Sequence, residues 1–142
     1  MQKTKQEQFW QSQFGEDYTK RNTYNPKELD NFYFKTYGVS RSDMNKDFLN
    51  GITISNILEV GASCGNQLSL LQKQGNTHLY GIEIQNHALE MAKKQTEGIN
   101  IIYGSGFDIP FKDHYFDLVF TSGVLIHIHP NDLKKATDNI VR

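Results

Sequence analysis

The chain has 142 residues, enough for one domain with a real core and too few for two comfortable ones. Apolar residues make up 37% and charged residues 22%, and a formal net charge of −1 gives no electrostatic case for nucleic acid or an anionic membrane. No apolar run approaches the ~18–20 residues of a membrane span, the opening MQKTKQEQFW lacks the apolar stretch of a secretory signal, and the single Cys64 excludes an intrachain disulfide framework and suits a reducing cytoplasm.

Residues 1–50 read as an N-terminal helical cap segment, polar and rich in aromatics. Phe9, Trp10, Phe14 and Tyr18 recur at helical spacing, which predicts one amphipathic helix over 4–20. Asn25-Pro26 breaks it, and Pro26 suits the first turn of a second helix reaching Tyr37. A short helix over 42–50, capped by Ser42, completes the segment. Core packing is the expected role of these aromatics.

Residues 51–142 read as the core domain, and from Ser55 the pattern is regular. Asn56–Val60 reads as an apolar strand, followed by a glycine turn and a helix carrying Leu68, Leu70 and Leu71. A second strand is expected over 78–84, a helix over 86–96, a third strand over 99–103 and a fourth over 115–121. Asn131 is the expected cap of a last helix with Leu133, Ala136 and Ile140 on one face. Strands alternating with helices imply right-handed βαβ units and hence an α/β, doubly wound parallel sheet.

In such a sheet ligands bind beyond the carboxyl ends of the strands, beside the first one. There the sequence reads ILEVGASCGN: Gly61 and Gly65 permit a tight turn and a close backbone approach, with Ala62, Ser63 and Cys64 keeping it small. Glu83 closes the second strand 22 residues after Gly61, near the distance at which an acid accepts ribose hydroxyls. A carboxylate suits a vicinal diol because two acceptor oxygens meet two donors. A dinucleotide fingerprint anchored at Gly61 wants glycines at 63 and 66, where the sequence has Ser63 and Asn66. A G-x-G-x-G pattern with Ser63 in its middle fits better.

The ordered series EVGASCG, GIEI, GSGFDIPF and FDLVFTSGVLIHI resembles the motifs of class I S-adenosylmethionine-dependent methyltransferases over residues 56–142. More narrowly, EQFWQSQFGEDYTKRN with GVLIHIHP looks like the methylases associated with pseudaminic acid biosynthesis. The resemblance implies S-adenosyl-L-methionine as cofactor and a small-molecule, sugar-related acceptor. By position it implies that Glu59, Gly61, Ala62 and Gly65 wrap the cofactor's amino-acid end. Glu83 then matches the ribose ligand and Ile84 the apolar contact beneath the adenine. Many relatives carry an acid after the third strand; here Ser105, Gly106 and Phe107 stand there, so a backbone contact or the Ser105 hydroxyl replaces it. Thr121, with Ser122 and Gly123, matches the segment under the methionine moiety. Arg21, if the N-terminal segment folds over the cofactor, offers a guanidinium fork to its carboxylate.

His127 and His129 follow the fourth strand on the pocket's edge; His127 is the candidate base for an oxygen acceptor, with packing as the competing role. No third ligand accompanies this H-x-H pair, so no metal is expected. Cys64 reads as a small turn residue, and Asp108, Asp113 and Asp117 as turn and solvated acids.

The resemblance implies a Rossmann-like sheet with its strands in the order 3-2-1-4. A core of residues 51–142 of this family normally continues with further strands, and Leu118-Val119-Phe120 form an apolar run suited to neighbours on both sides. The expectation is a C-terminally incomplete core, or self-association along the fourth strand. Two other classes remain: a non-catalytic nucleotide-binding module and a nicotinamide-dependent oxidoreductase.

Overall fold

The computed structural model describes residues 2–142. Four helices come first: α1 (Lys5–Trp10), α2 (Gln13–Arg21), α3 (Pro26–Tyr37) and α4 (Arg41–Leu49). The sheet elements follow as β1 (Asn56–Val60), α5 (Asn66–Lys73), β2 (His78–Glu83), α6 (Asn86–Gln95), β3 (Ile99–Tyr103), β4 (Leu118–Thr121) and α7 (Pro130–Ile140), with a single 3-10 turn at Leu125–His127 before α7. The strands are parallel, as the sequence pattern predicts, and lie in the order β3-β2-β1-β4 that the resemblance implies.

The strand side chains alternate between two cores, one on each face. Ile57 and Leu79 pack with Ala62, Leu68 and Leu71 under α5, while Leu58, Val60 and Ile82 pack with Ile109 and the half-buried Ile140 of α7 on the other face. β1 lies between β2 and β4, which places its carboxyl end at the centre of the sheet.

Four local expectations change. The single helix over 4–20 breaks, because Ser12 is extended and accepts from the Phe14 N–H, capping a new helix. The cap of α4 is Ser40; Ser42 instead donates its hydroxyl to Asp30 at 2.6 Å. The cap of α7 is His129, whose Nδ1 accepts from the Asn131 N–H, because Pro130 takes the first helical position. β4 begins at Leu118, since Asp117 turns its carboxylate to the Ser55 and Asn56 N–H groups at 2.8 Å each. Those backbone bonds hold Asp117 below its ordinary pKa and fasten the start of β1.

The aromatics of residues 1–50 do not form a core. Leu29 is the buried apolar side chain of that segment, whereas Phe34 and Tyr37 are 63% exposed. Most of the others face a cavity.

Candidate functional site

The carboxyl ends of β1, β2 and β3 open into a cavity of about 400 Å³, bordered on its other side by α1, α2 and α3. Its floor is the turn after β1. Gly61 has φ +77°, and an added Cβ would lie 2.3 Å from a Val124 methyl, so the turn requires glycine on both conformational and steric grounds. The Gly61 and Ala62 N–H groups both donate to the Ile82 carbonyl, which locks the turn to β2. Ser63 is a non-glycine residue at φ +50°, and in that conformation its N–H donates to Glu83 at 2.7 Å.

Glu83 is thereby held at three points. One oxygen accepts from Ser63, and the other from the N–H groups of Ile84 and Gln85 at 2.8 and 2.9 Å. Burial pushes its carboxyl above the ordinary value while these bonds pull it down. Glu59 is buried more severely. One of its oxygens has no hydrogen-bond partner, and burial raises its carboxyl well above the usual range, opposed by Arg41 and reinforced by Glu83. Both acids line the cavity.

Most of the anticipated residues meet here: Glu59, Gly61, Ala62, Glu83, Ile84, Ser105, Gly106, Phe107 and His127 all line one space. Three stand elsewhere. Gly65, at φ +87°, would place a Cβ 2.9 Å from Ile101, so it serves the packing of α5 on β3 and not the lining. Thr121 ends β4 with a buried hydroxyl lacking a partner, and the lining is taken up by Ser122, Gly123 and Val124. Arg21 is exposed and outside the lining, because α2 buries Gly15 and Thr19 and residue 21 falls on the opposite side of the helix from Thr19. A cation that does bear on Glu59 is Arg41, outside the lining, whose guanidinium lies 5.4 Å from the Tyr33 ring centroid.

The cavity also contains groups that the spacing of the motifs did not reveal. Trp10 forms an edge contact with Tyr18 at 5.1 Å and with His127 at 4.7 Å between centroids. Tyr24, Phe32 and Tyr33 continue this aromatic wall. Asn66 joins the wall to the floor: it accepts from the Tyr24 N–H, donates to the Asn22 carbonyl at 2.6 Å and accepts from the Cys64 thiol. Cys64 stands in the turn, as expected, and is fully buried beneath this arrangement. His129 has its Nδ1 committed to capping α7, which leaves His127 as the better-placed imidazole on the cavity wall. Among the described residues no group of side chains forms a metal site.

Comparison with known proteins decides the family. A model described as a methyltransferase domain matches residues 57–142. The chain belongs to the methyltransferase domain family. An O-methyltransferase of Aspergillus nomiae is 29% identical over 100 residues, covering 66% of this chain and 44% of its own. An O-methyltransferase of Pyrenophora dematioidea is 26% identical over 117 residues, covering 76% and 43%. The chain thus spans less than half the length of these curated relatives. Among solved structures, an amino pentose methyltransferase of Micromonospora echinaspora with bound S-adenosylmethionine superposes with a TM-score of 0.61 at 14% identity, over 91% of this chain and 50% of that one. The plantazolicin methyltransferase BpumL, in complex with S-adenosylhomocysteine and a monoazolic desmethylPZN analogue, gives 0.63 at 20% identity, over 96% and 52%. At these identities the structural likeness speaks for the shared fold. No helix among the described residues is long and apolar enough to cross a membrane.

Proposed function

We propose that the chain binds S-adenosyl-L-methionine across the cavity and directs its methyl group to an oxygen of a small-molecule acceptor. The observation that carries this reading is the clamped Glu83 carboxylate, facing the same space as the Gly61–Ser63 turn and the Ser105–Phe107 loop. The donor chemistry fits. Glu83 keeps one unused lone pair, on the oxygen that Ser63 binds, suited to a ribose hydroxyl, and the unpartnered Glu59 oxygen suits an amino group.

When bound, this cofactor supplies a methyl group already activated on a sulfonium. The protein's part is binding, alignment and exclusion of water. In the proposal Glu59, Gly61 and Ala62 hold the amino-acid end, Glu83 the ribose and Ile84 the apolar face of the base. Ser105, Gly106 and Phe107 border the base, and the turn following Thr121 lies under the methionine part. Gly65 acts indirectly, by seating α5. Trp10 and Tyr18 shield the reacting end, and His127, beside Trp10, takes the proton of an acceptor hydroxyl.

The Aspergillus and Pyrenophora relatives, both named O-methyltransferases, support oxygen as the acceptor atom. A sugar-related acceptor is the narrower form of the proposal, supported by the resemblance of the opening stretch and GVLIHIHP. A cytoplasmic setting fits the buried free Cys64. Self-association along the outer edge of β4 belongs with the proposal, and size-exclusion chromatography with light scattering tests it.

Calorimetry with S-adenosylmethionine, run in parallel with a nicotinamide dinucleotide, tests the cofactor. Binding of the dinucleotide alone overturns the reading in favour of an oxidoreductase. Cofactor binding without transfer of labelled methyl to any of a panel of hydroxylated acceptors favours a non-catalytic module.

A further inference from the structure

The six-residue helix α1 lies outside the segment matched by the family model, yet it contributes a carboxylate to the cavity. Glu7 spans the gap between α1 and the loop after β3. Its Oε1 accepts the Ser105 hydroxyl proton at 2.5 Å, and its Oε2 accepts the Thr4 N–H at 2.8 Å in a capping box. Ser105 is in turn fixed by the Phe107 N–H, which donates to its oxygen at 3.1 Å. Gln11, just past α1, donates to the Ile84 carbonyl at 2.8 Å and to the Tyr103 hydroxyl at 3.0 Å. The helix is therefore tied to the ends of both β2 and β3.

This arrangement has a chemical consequence. The Ser105 hydroxyl has spent its one proton on Glu7, so neither side chain has a hydrogen left to donate. Each Glu7 oxygen still has a free lone pair. The junction of α1 and the β3 loop is an acceptor-only site on the cavity wall. Glu83 occupies the end of the neighbouring strand β2, so a nucleoside whose ribose meets Glu83 presents its base toward Ser105 and Glu7.

We propose that Glu7, positioned by Ser105, is a specificity-determining residue that selects a base bearing an exocyclic amine and rejects one bearing a carbonyl at the same position. This rests on the cofactor reading above. An amine donates to Glu7, whereas a carbonyl oxygen faces a carboxylate with no proton between them, as a site built for one hydrogen-bonding partner rejects its counterpart.

The test compares S-adenosylhomocysteine with S-inosylhomocysteine, its 6-oxo analogue, by calorimetry. The wild-type chain is expected to prefer the amine by about tenfold to a hundredfold, the range for losing a hydrogen bond to a charged group. Glu7→Gln supplies an amide N–H₂ that can meet the carbonyl, and the preference is expected to fall to about threefold or less. Ser105→Ala leaves the capping box intact and is expected to lower the same ratio by releasing Glu7. A folding defect alone weakens both ligands together and leaves the ratio unchanged. Equal affinities in the wild type, or an unaltered ratio in both variants, overturn the role of Glu7. Failure of the wild type to bind either ligand overturns the cofactor reading itself.

Discussion

Glu83 carries most of the functional argument, and Glu83→Gln tests it with little change of shape. The carboxylate accepts three backbone N–H groups, two on one oxygen and one on the other. A glutamine has one acceptor oxygen. Its better orientation keeps Ile84 and Gln85 satisfied and turns an N–H₂ toward the Ser63 N–H. Losing a hydrogen bond to a charged acceptor costs about 1.5–3 kcal/mol, and the stranded donor adds its own desolvation. Relief from burying a charge, which the upward push on Glu83 reports, offsets part of this. A net destabilisation of about 1–3 kcal/mol follows, or a Tm lower by about 3–10 °C for a domain of this size.

Ligand binding is expected to suffer separately. A ribose diol loses its charged acceptor, so S-adenosylhomocysteine should bind about tenfold to a hundredfold more weakly. Thermal unfolding and calorimetry on the same protein separate the two effects. A variant with lowered Tm and unchanged affinity would make Glu83 a purely structural brace of the Ser63 turn, and the ribose assignment would be refuted. Unchanged Tm would refute the account of the three-point clamp.

Gly61→Val places a branched side chain at φ +77° and drives it into Val124, so it should lose the ligand entirely and cost at least about 2 kcal/mol of stability; normal binding measured by calorimetry would put the pocket elsewhere. Glu59→Gln tests the burial of that acid. Its folded pKa lies above the ordinary value of 4.5, so its proton-linked stability is present below that value and is lost as pH rises through the folded one. The Glu59→Gln variant should therefore be more stable than the wild type at neutral pH and lose this advantage below about pH 4, in urea melts across that range. A gain independent of pH would contradict the sign.

The sheet was legible because each of its signals is local. Asn56–Val60, the glycine turn and the strand ending at Glu83 follow from apolar runs bounded by residues with restricted backbone choices. The acids at 59 and 83 could be placed because parallel strands bring their carboxyl ends together. What could not be read depends on long-range contacts. Gly65 and Gly61 look equivalent in sequence, yet one packs against Ile101 and the other floors the cavity. Arg21 ends α2 on its exposed side, whereas Arg41 begins α4 and bears on Glu59, a difference set by how the helices pack. The break at Ser12 decides how α1 reaches Ser105, and no periodicity contains it, since the aromatic spacing runs across the break unchanged. His129 as a cap was available from Pro130, because a proline in the first helical position points to the residue before it.

The manner in which the cavity is walled has a dynamic consequence. Residues up to 49 contribute Leu29 as their fully buried apolar side chain and Leu49 half-buried against the core under α5, so apolar burial holds most of the segment only weakly against the sheet. They are attached instead by polar stitches: Glu7 to Ser105, Gln11 to Ile84, Asn22 and Tyr24 to Asn66, Tyr33 to Gln67 and Asn45 to Gln74. Such bonds fix position well but contribute only about 0.5–1.5 kcal/mol each once exchange with water is counted. The wall should therefore open at a lower free energy than the sheet unfolds, which suits a site that must admit a cofactor. Asn66 is the most heavily used stitch. Asn66→Ala strands the Tyr24 N–H and the Asn22 carbonyl, so native-state hydrogen exchange should accelerate at residues 22–24 by about tenfold while β1 and β2 exchange as before. S-adenosylhomocysteine should slow exchange across α1 and α2 in the wild type and do so less in the variant. Uniform acceleration across β1 and the wall would show that the two halves open as one unit, and the idea of a separately opening wall would be lost.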